Sequence, residues 1–260
     1  MTPQNLLNIG LIQAPLAWEH KEKNLQYFET KINAIPEADL ILLPEMFSTG
    51  FSMNPSQLAE TEEGPALKWM RDMAVNRRLA LSGSLIIEEG NQYFNRLFFV
   101  YPDGSFKRYD KRHLFSYAGE EKVYSAGTKK LILEYKGWRI NPQICYDLRF
   151  PVWSRNSEDF DFQYYVANWP ERRSEAWKTL LKARAIENQV YLAGVNRIGL
   201  DGNGINHSGD SAVYDPLGEK ISDIQSGQEA ADLITLDFQH LQEVRQRFAF
   251  LKDRDSFEIS

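Results

Sequence analysis

One cysteine in 260 residues, Cys145, leaves no partner for an intramolecular disulfide, so a reducing cytoplasm is the expected setting. Histidine is nearly as scarce. His20, His113, His207 and His240 form no pair at helical or strand ligand spacing and no Cys–His cluster, so no metal is expected. A phosphate-cradling glycine loop is also missing: Gly199, Gly202 and Gly204 lie in an Asp/Asn-rich turn with no Lys-Ser/Thr behind them, and no cofactor is expected. No apolar run approaches a membrane span, and Met1-Thr2-Pro3-Gln4-Asn5 has neither the basic nor the apolar region of a signal peptide. Thirty Lys and Arg face 36 Asp and Glu, a net charge of −6, without the basic stripe that a nucleic-acid partner requires. With no solenoid-period repeat and no low-complexity linker, one domain is expected over 1–260.

What the chain does have is apolar material, 43% of residues with 15 Phe, 12 Tyr and 6 Trp, enough for a large core. Patterning predicts strands over Leu6 to Gln13 and Asp39 to Leu43, with a helix from Lys21 to Ile35 between them and another over Pro65 to Asn76. Leu79 to Ile87, Tyr93 to Tyr101 and Phe106 to Tyr109 follow as strands, joined by the hairpin turns Glu89-Gly90-Asn91 and Pro102-Asp103-Gly104. Leu131 to Tyr135 and Trp138 to Ile144 form a further hairpin, and Phe162 to Ala167, Tyr191 to Asn196, Ser211 to Tyr214, Lys220 to Ile224 and Asp232 to Asp237 complete the strands. Ser174 to Asn188 and a segment from about Leu241 read as helices. Hairpins mixed with βα units predict an α/β protein whose sheet is mixed, with helices on the outer faces.

The chemistry-bearing residues stand at strand ends, where ligands bind in open α/β folds. Leu40 to Leu43 runs into Pro44-Glu45-Met46-Phe47; the strand at Phe106 into Asp110-Lys111-Arg112-His113; Trp138 to Ile144 into Cys145-Tyr146-Asp147; Phe162 to Ala167 into Asn168-Trp169-Pro170. If these strands run side by side in one direction, Glu45, Lys111, Cys145 and Asn168-Trp169 meet in one pocket. Each also has a plainer reading. Cys145 could be a small buried hydrophobe, Glu45 a helix-terminal carboxylate, Lys111 part of a solvated charged strand end and Trp169 core or interface.

Together they make coherent chemistry. A free thiol has a pKa of about 8.5 and a free glutamate one of about 4.3, a mismatch worth roughly 5.7 kcal/mol, so Glu45 as base requires a dry site. The Lys111 ammonium and the Tyr146 N–H would stabilise a thiolate and an oxyanion. His113 is the competing base, since it follows Lys111 by two residues.

Glu45, Lys111 and Cys145, each after a strand, resemble the Glu–Lys–Cys triad of the nitrilase superfamily of carbon–nitrogen hydrolases. Leu43-Pro44-Glu45-Met46-Phe47, Tyr109 to Phe115, Cys145 to Pro151 and Arg184 to Gln189 carry the resemblance, and Val152 to Asn156 with Ala167-Asn168-Trp169-Pro170 resemble a bacterial ω-amidase branch. The resemblance implies a four-layer α-β-β-α sandwich with two mixed sheets, paired into a homodimer across the helices near Cys145 and after Trp169. It implies hydrolysis of the terminal amide of α-keto acid amides such as 2-oxoglutaramate, 2-oxosuccinamate or a methionine-derived keto amide. Cys145 would attack, Glu45 would relay protons, and a second pocket glutamate, favoured as Glu120 over Glu121 by spacing back from Gly127, would assist. Arg149 is the candidate for the substrate carboxylate, on the nucleophile's helical face four residues on, or alternatively an ion-pair partner of Asp147. Tyr146 and Phe47 would line the acyl pocket, Trp169 would form a wall and Asn168 would hydrogen-bond substrate. A nitrilase, an N-carbamoyl amino acid hydrolase, or a catalytically silent scaffold dimer are the other readings.

Overall fold

In a computed structural model, residues 4–259 are described; Met1 to Pro3 and Ser260, the ends of the expected 1–260 unit, lie outside the described residues. The first half comprises β1 (Leu6–Gln13), α1 (Lys21–Ala34), β2 (Leu40–Leu42), α2 (Pro55–Leu58), α3 (Pro65–Arg77), β3 (Ala80–Glu89), β4 (Gln92–Val100) and β5 (Phe106–Asp110). The second half adds β6 (Leu133–Tyr135), β7 (Trp138–Ile144), α4 (Pro151–Ser154), β8 (Phe162–Ala167), α5 (Ser174–Asn188) and β9 (Tyr191–Asn196). It closes with β10 (Ile198–Leu200), β11 (Asn206–Ser208), β12 (Ala212–Tyr214), β13 (Ala230–Asp237) and α6 (Phe238–Arg247).

Two mixed sheets result. The first runs β13-β1-β2-β3-β4-β5 and the second β12-β9-β8-β7-β6. Parallel pairing joins β1 to β2, β2 to β3, β7 to β8 and β8 to β9, and the flanking strands are antiparallel. Strands buried on both faces read as continuous apolar runs, and β2 and β8 are buried along their whole lengths.

The sheets pack face to face. Their shared core unites Ile9, Leu11, Leu40, Leu42, Leu97 and Phe99 of the first sheet with Ile140, Tyr164, Val166 and Val195 of the second. A hydrogen bond between the hydroxyls of Ser82 and Tyr164, 2.6 Å, crosses this interior. On the outer face of the first sheet, α1 and α3 bury Phe28, Ile32, Leu67 and Met70 against Ile41, Leu81 and Phe98. On the outer face of the second, α5 seats Trp177 and Leu181 so closely that a Cβ at Gly194 would lie 2.5 Å from Leu181. The molecule is the expected four-layer α-β-β-α sandwich.

Two details differ from the sequence reading. Lys220 to Ile224 is not a strand and touches β12 through one bridge, Tyr214 to Lys220; the Ser222 hydroxyl accepts the Val213 N–H at 2.9 Å where a ladder bond would otherwise form. The expected turn at 199–204 is present, but it joins two strands that the reading lacked, β10, which contains Gly199, and β11, each three residues and too short to show a strand period. Among the described residues no helix is long and apolar enough to cross a membrane.

Candidate active site

The four strand ends do not lie side by side in one sheet. β2 and β5 belong to the first sheet with β3 and β4 between them, and β7 and β8 are neighbours in the second. Their carboxyl ends face one another across the sandwich, where Glu45, Lys111, Cys145 and Asn168 line one cavity of about 860 Å³.

Glu45 follows β2 in a turn and not at a helix start. Met46 adopts a left-handed φ of 45°, held by its N–H on the Ser84 hydroxyl at 2.8 Å. Lys111 follows β5, donating its N–H to Asn95 O and accepting from Gly127 N. Its ammonium reaches Glu45 Oε1 at 2.9 Å and both Glu120 oxygens at 3.0 and 2.9 Å, with all three side chains out of contact with solvent. Glu120 lies in a 3-10 turn, Glu120–Lys122, and is buried, whereas Glu121 is exposed.

Cys145 opens a 3-10 turn, Cys145–Arg149, with φ at 44°. A non-glycine residue in that region is strained by about 1–3 kcal/mol unless its surroundings over-determine it. Buried Asp147 does so: it accepts the Ile144 N–H at 3.1 Å and the Tyr109 hydroxyl at 2.7 Å, and its other oxygen meets His113 N at 3.0 Å and Nδ1 at 2.8 Å. His113 is thereby tied to Asp147 and stacked 3.7 Å from the Phe150 ring. It does not line the cavity, which removes the competing base.

Burial and the facing Glu45 push the Cys145 thiol well above its ordinary pKa, against the opposing pull of Lys111 and the Asn168 N–H. Burial disfavours the Lys111 ammonium, but the carboxylates of Glu120 and Glu45 outweigh it and raise its pKa. Burial also raises the Glu120 carboxyl, with Lys111 opposing and Glu45 adding. These directions leave a protonated thiol and an ammonium beside Glu45, an arrangement suited to deliver a proton and a nucleophile to an acyl carbon together.

Tyr146, Trp169 and Asn168 line the cavity. Asn168 donates its backbone N–H to Glu45 Oε2 at 2.8 Å and its Nδ2 to Glu45 O at 2.5 Å, so only its buried Oδ1 lacks a partner among the described residues. Arg149 is exposed on the cavity wall, its guanidinium 4.9 Å from the Trp169 ring, and among the described residues no ion pair joins it to Asp147. The helical-face argument for Arg149 is corrected, because the five-residue segment Cys145–Arg149 is 3-10 and not α-helical, and at about three residues per turn the fourth residue on leaves the nucleophile's face.

Phe47 is also corrected. It is fully buried on the helix side of the first sheet, 5.5 Å from Phe28 and 5.8 Å from Trp69. The tight turn at Met46 sends it into that core, and Phe51 and Met53 line the cavity instead. Sequence reasoning also missed Arg173, whose guanidinium sits 5.0 Å from the Phe115 ring at the cavity, His207 from the β10–β11 hairpin, and Asn95. The signal for Asn95 was the polar pair Asn95-Arg96 interrupting an apolar strand.

A sandwich of this layering with these groups at its strand ends defines a hydrolase acting through an acyl carbon. The sequence profile of the carbon–nitrogen hydrolase family matches residues 8–246, and the chain belongs to that family; it is an enzyme of the amidase class. It is 46% identical over 253 residues to omega-amidase YafV of Yersinia enterocolitica, covering 96% of this chain and 98% of the relative. It is 29% identical over 252 residues to 2-oxoglutaramate amidase of Bacillus subtilis, covering 94% and 96%. Among solved structures, XC1258 of Xanthomonas campestris, a CN-hydrolase superfamily protein with an arsenic adduct in its active site, superposes with a TM-score of 0.96 at 44% identity, covering 99% of this chain and 100% of that one.

Proposed function

We propose that this protein is an ω-amidase, hydrolysing the terminal amide of a short α-keto acid amide such as 2-oxoglutaramate to the keto acid and ammonia. The observation that carries the reading is the meeting of Glu45, Lys111 and Cys145 in a cavity whose wall bears Arg149, together with near full-length similarity to omega-amidases. As the Cys145 sulfur attacks the amide carbon, its proton passes to Glu45 and then to the leaving nitrogen, which departs as ammonia. Glu45 next deprotonates water, which attacks the thioester, and the acid leaves as the thiol re-forms. An ammonium carries three N–H bonds; one goes to Glu45 Oε1, one is shared between the two oxygens of Glu120, and the third serves the tetrahedral oxyanion with the Tyr146 N–H. Glu120 holds Lys111 in place. Arg149 offers a planar fork to the substrate carboxylate, Tyr146 and Trp169 bound the acyl chain, and Asn168 presents Oδ1 to the amide N–H.

The lone cysteine fits a cytoplasmic setting, and the exposed apolar side chains of Val152 on α4 and Ile186 on α5 support pairing of two copies across those helices. The test is ammonia release from 2-oxoglutaramate by the wild-type protein and by Cys145→Ala, with simple nitriles and N-carbamoyl amino acids in parallel. Turnover of the keto amide that is lost in the variant is expected. Turnover of a nitrile or a carbamoyl compound in its place would overturn the substrate, and silence on all three would return the scaffold reading.

A further inference from the structure

Asn95 lies in β4 opposite the start of the Lys111 loop, fully buried, and its contacts reach Glu45, Lys111 and Glu120. Its backbone carbonyl accepts the Lys111 N–H at 3.0 Å. Its Nδ2 donates to Glu45 Oε1 at 2.7 Å and to Glu120 Oε1 at 3.2 Å. The amide can face only one way, since both neighbours are carboxylate oxygens and need the NH₂. Its Oδ1 is left buried without a partner among the described residues, a cost that a purely structural asparagine has no reason to bear.

The occupancy of the two Glu45 oxygens differs accordingly. Oε1 receives both Asn95 Nδ2 and Lys111 Nζ at 2.9 Å, which fills its two lone pairs. Among the described residues Oε2 receives one N–H, that of Asn168 at 2.8 Å, and so keeps one lone pair open. From this geometry we infer that Asn95 is a positioning residue that closes Glu45 Oε1 to protons, so that the proton travelling between Cys145 and the leaving nitrogen is carried on Oε2 alone. The inference deepens the proposed mechanism and rests on Glu45 being its base. In balance, the S–H bond breaks as the S–C bond forms, the proton resides on Oε2, and it leaves with the nitrogen as the C–N bond breaks.

The groups that face Glu45 are Lys111 from the end of β5, Glu120 and Tyr124 from the following loop, and Cys145 from the turn after β7. None of these replaces the Asn95 donor. Removing that donor disfavours the carboxylate form, and it opens a second, unproductive site for the proton.

The test reads Cys145 alkylation by iodoacetamide as a function of pH, which requires no substrate, alongside kcat and KM for 2-oxoglutaramate. Asn95→Leu keeps the approximate shape without donor or charge, Asn95→Ser restores a single smaller donor, and Glu45→Gln is the reference. In Asn95→Leu the acid limb of alkylation is expected to move up by about one pH unit. Its kcat is expected to fall about 100-fold, part of a general acid–base contribution, with KM within about threefold of wild type, and Asn95→Ser should lie between. An acid limb unmoved in a folded Asn95→Leu, or kcat and KM altered together as in a general loosening, would overturn the inference. If Asn95→Leu does not fold, an Asn95→Ser profile matching wild type does the same. If Glu45→Gln alkylates like wild type, Glu45 is not the base, and both this inference and the mechanism beneath it fall.

Discussion

At the scale of single residues, the site couples a strained backbone to unusual ionisation. Cys145 is at φ 44° because Asp147 clamps the turn from two directions, and the same burial leaves its thiol protonated at rest. The base must therefore act during attack, which is why the oxygens of Glu45 are so fully specified. Arg149 is the residue whose role is most cleanly separable, since it projects into the cavity without a carboxylate partner among the described residues. Arg149→Gln is expected to raise KM for 2-oxoglutaramate by about 10- to 100-fold, the ~1.5–3 kcal/mol of a charge-assisted hydrogen bond, with kcat changed little. Steady-state kinetics check this, and an equal loss on a neutral amide of the same length would refute carboxylate recognition.

At the scale of elements, the placement of Lys111 depends on two strands and a loop that crosses them. Gly127 presses its backbone on the end of β5: its N–H donates to Lys111 O at 2.9 Å, and a Cβ there would lie 2.1 Å from Asp110 O. Backbone cannot yield as a flexible side chain can. Gly127→Ala is expected to cost about 1–3 kcal/mol in urea unfolding and to lower kcat by displacing the ammonium. An unchanged midpoint and unchanged kcat would show that the loop tolerates the shift. The elements that sequence patterning located best are the ones whose signal is local: β1, β8, α5 and β9 begin and end where expected. The short β10 and β11 escaped because three residues carry no period, although they place His207 in the cavity wall. Glu120 over Glu121 was legible only as a spacing preference, and the 3-10 turn that buries one and exposes the other is a tertiary outcome.

At the scale of the whole molecule, the packing of two sheets creates dry polar positions as well as an apolar core. His207 is 3% exposed, and burial, with Arg197 nearby, lowers its pKa from 6.5 to about 4. The unfolded chain thus takes up this proton near pH 6.5 while the folded chain resists it until about pH 4. The contribution to stability is fully present above pH 6.5 and is lost as the pH falls toward 4, on the order of 3 kcal/mol in all. Urea unfolding between pH 7 and 4 should show that decline, and His207→Gln should flatten it. An identical slope in both proteins would assign the acid sensitivity to other groups.

The sequence by itself determined which residues end the strands, because strand periodicity and turn chemistry act over a few neighbours. Leu43-Pro44-Glu45, Asp110-Lys111 and Ile144-Cys145 could be read as reactive ends, and their resemblance to a carbon–nitrogen hydrolase triad followed from those motifs. Which groups face one another was decided only by the tertiary structure. That Phe47 turns into the helix-side core while Phe51 lines the cavity, that Asp147 claims His113, and that Asn95 bridges Glu45 and Glu120 all depend on contacts between segments far apart in the chain. Local pattern sets the face on which a side chain leaves a strand, but only the packing of one sheet on the other sets what it meets there.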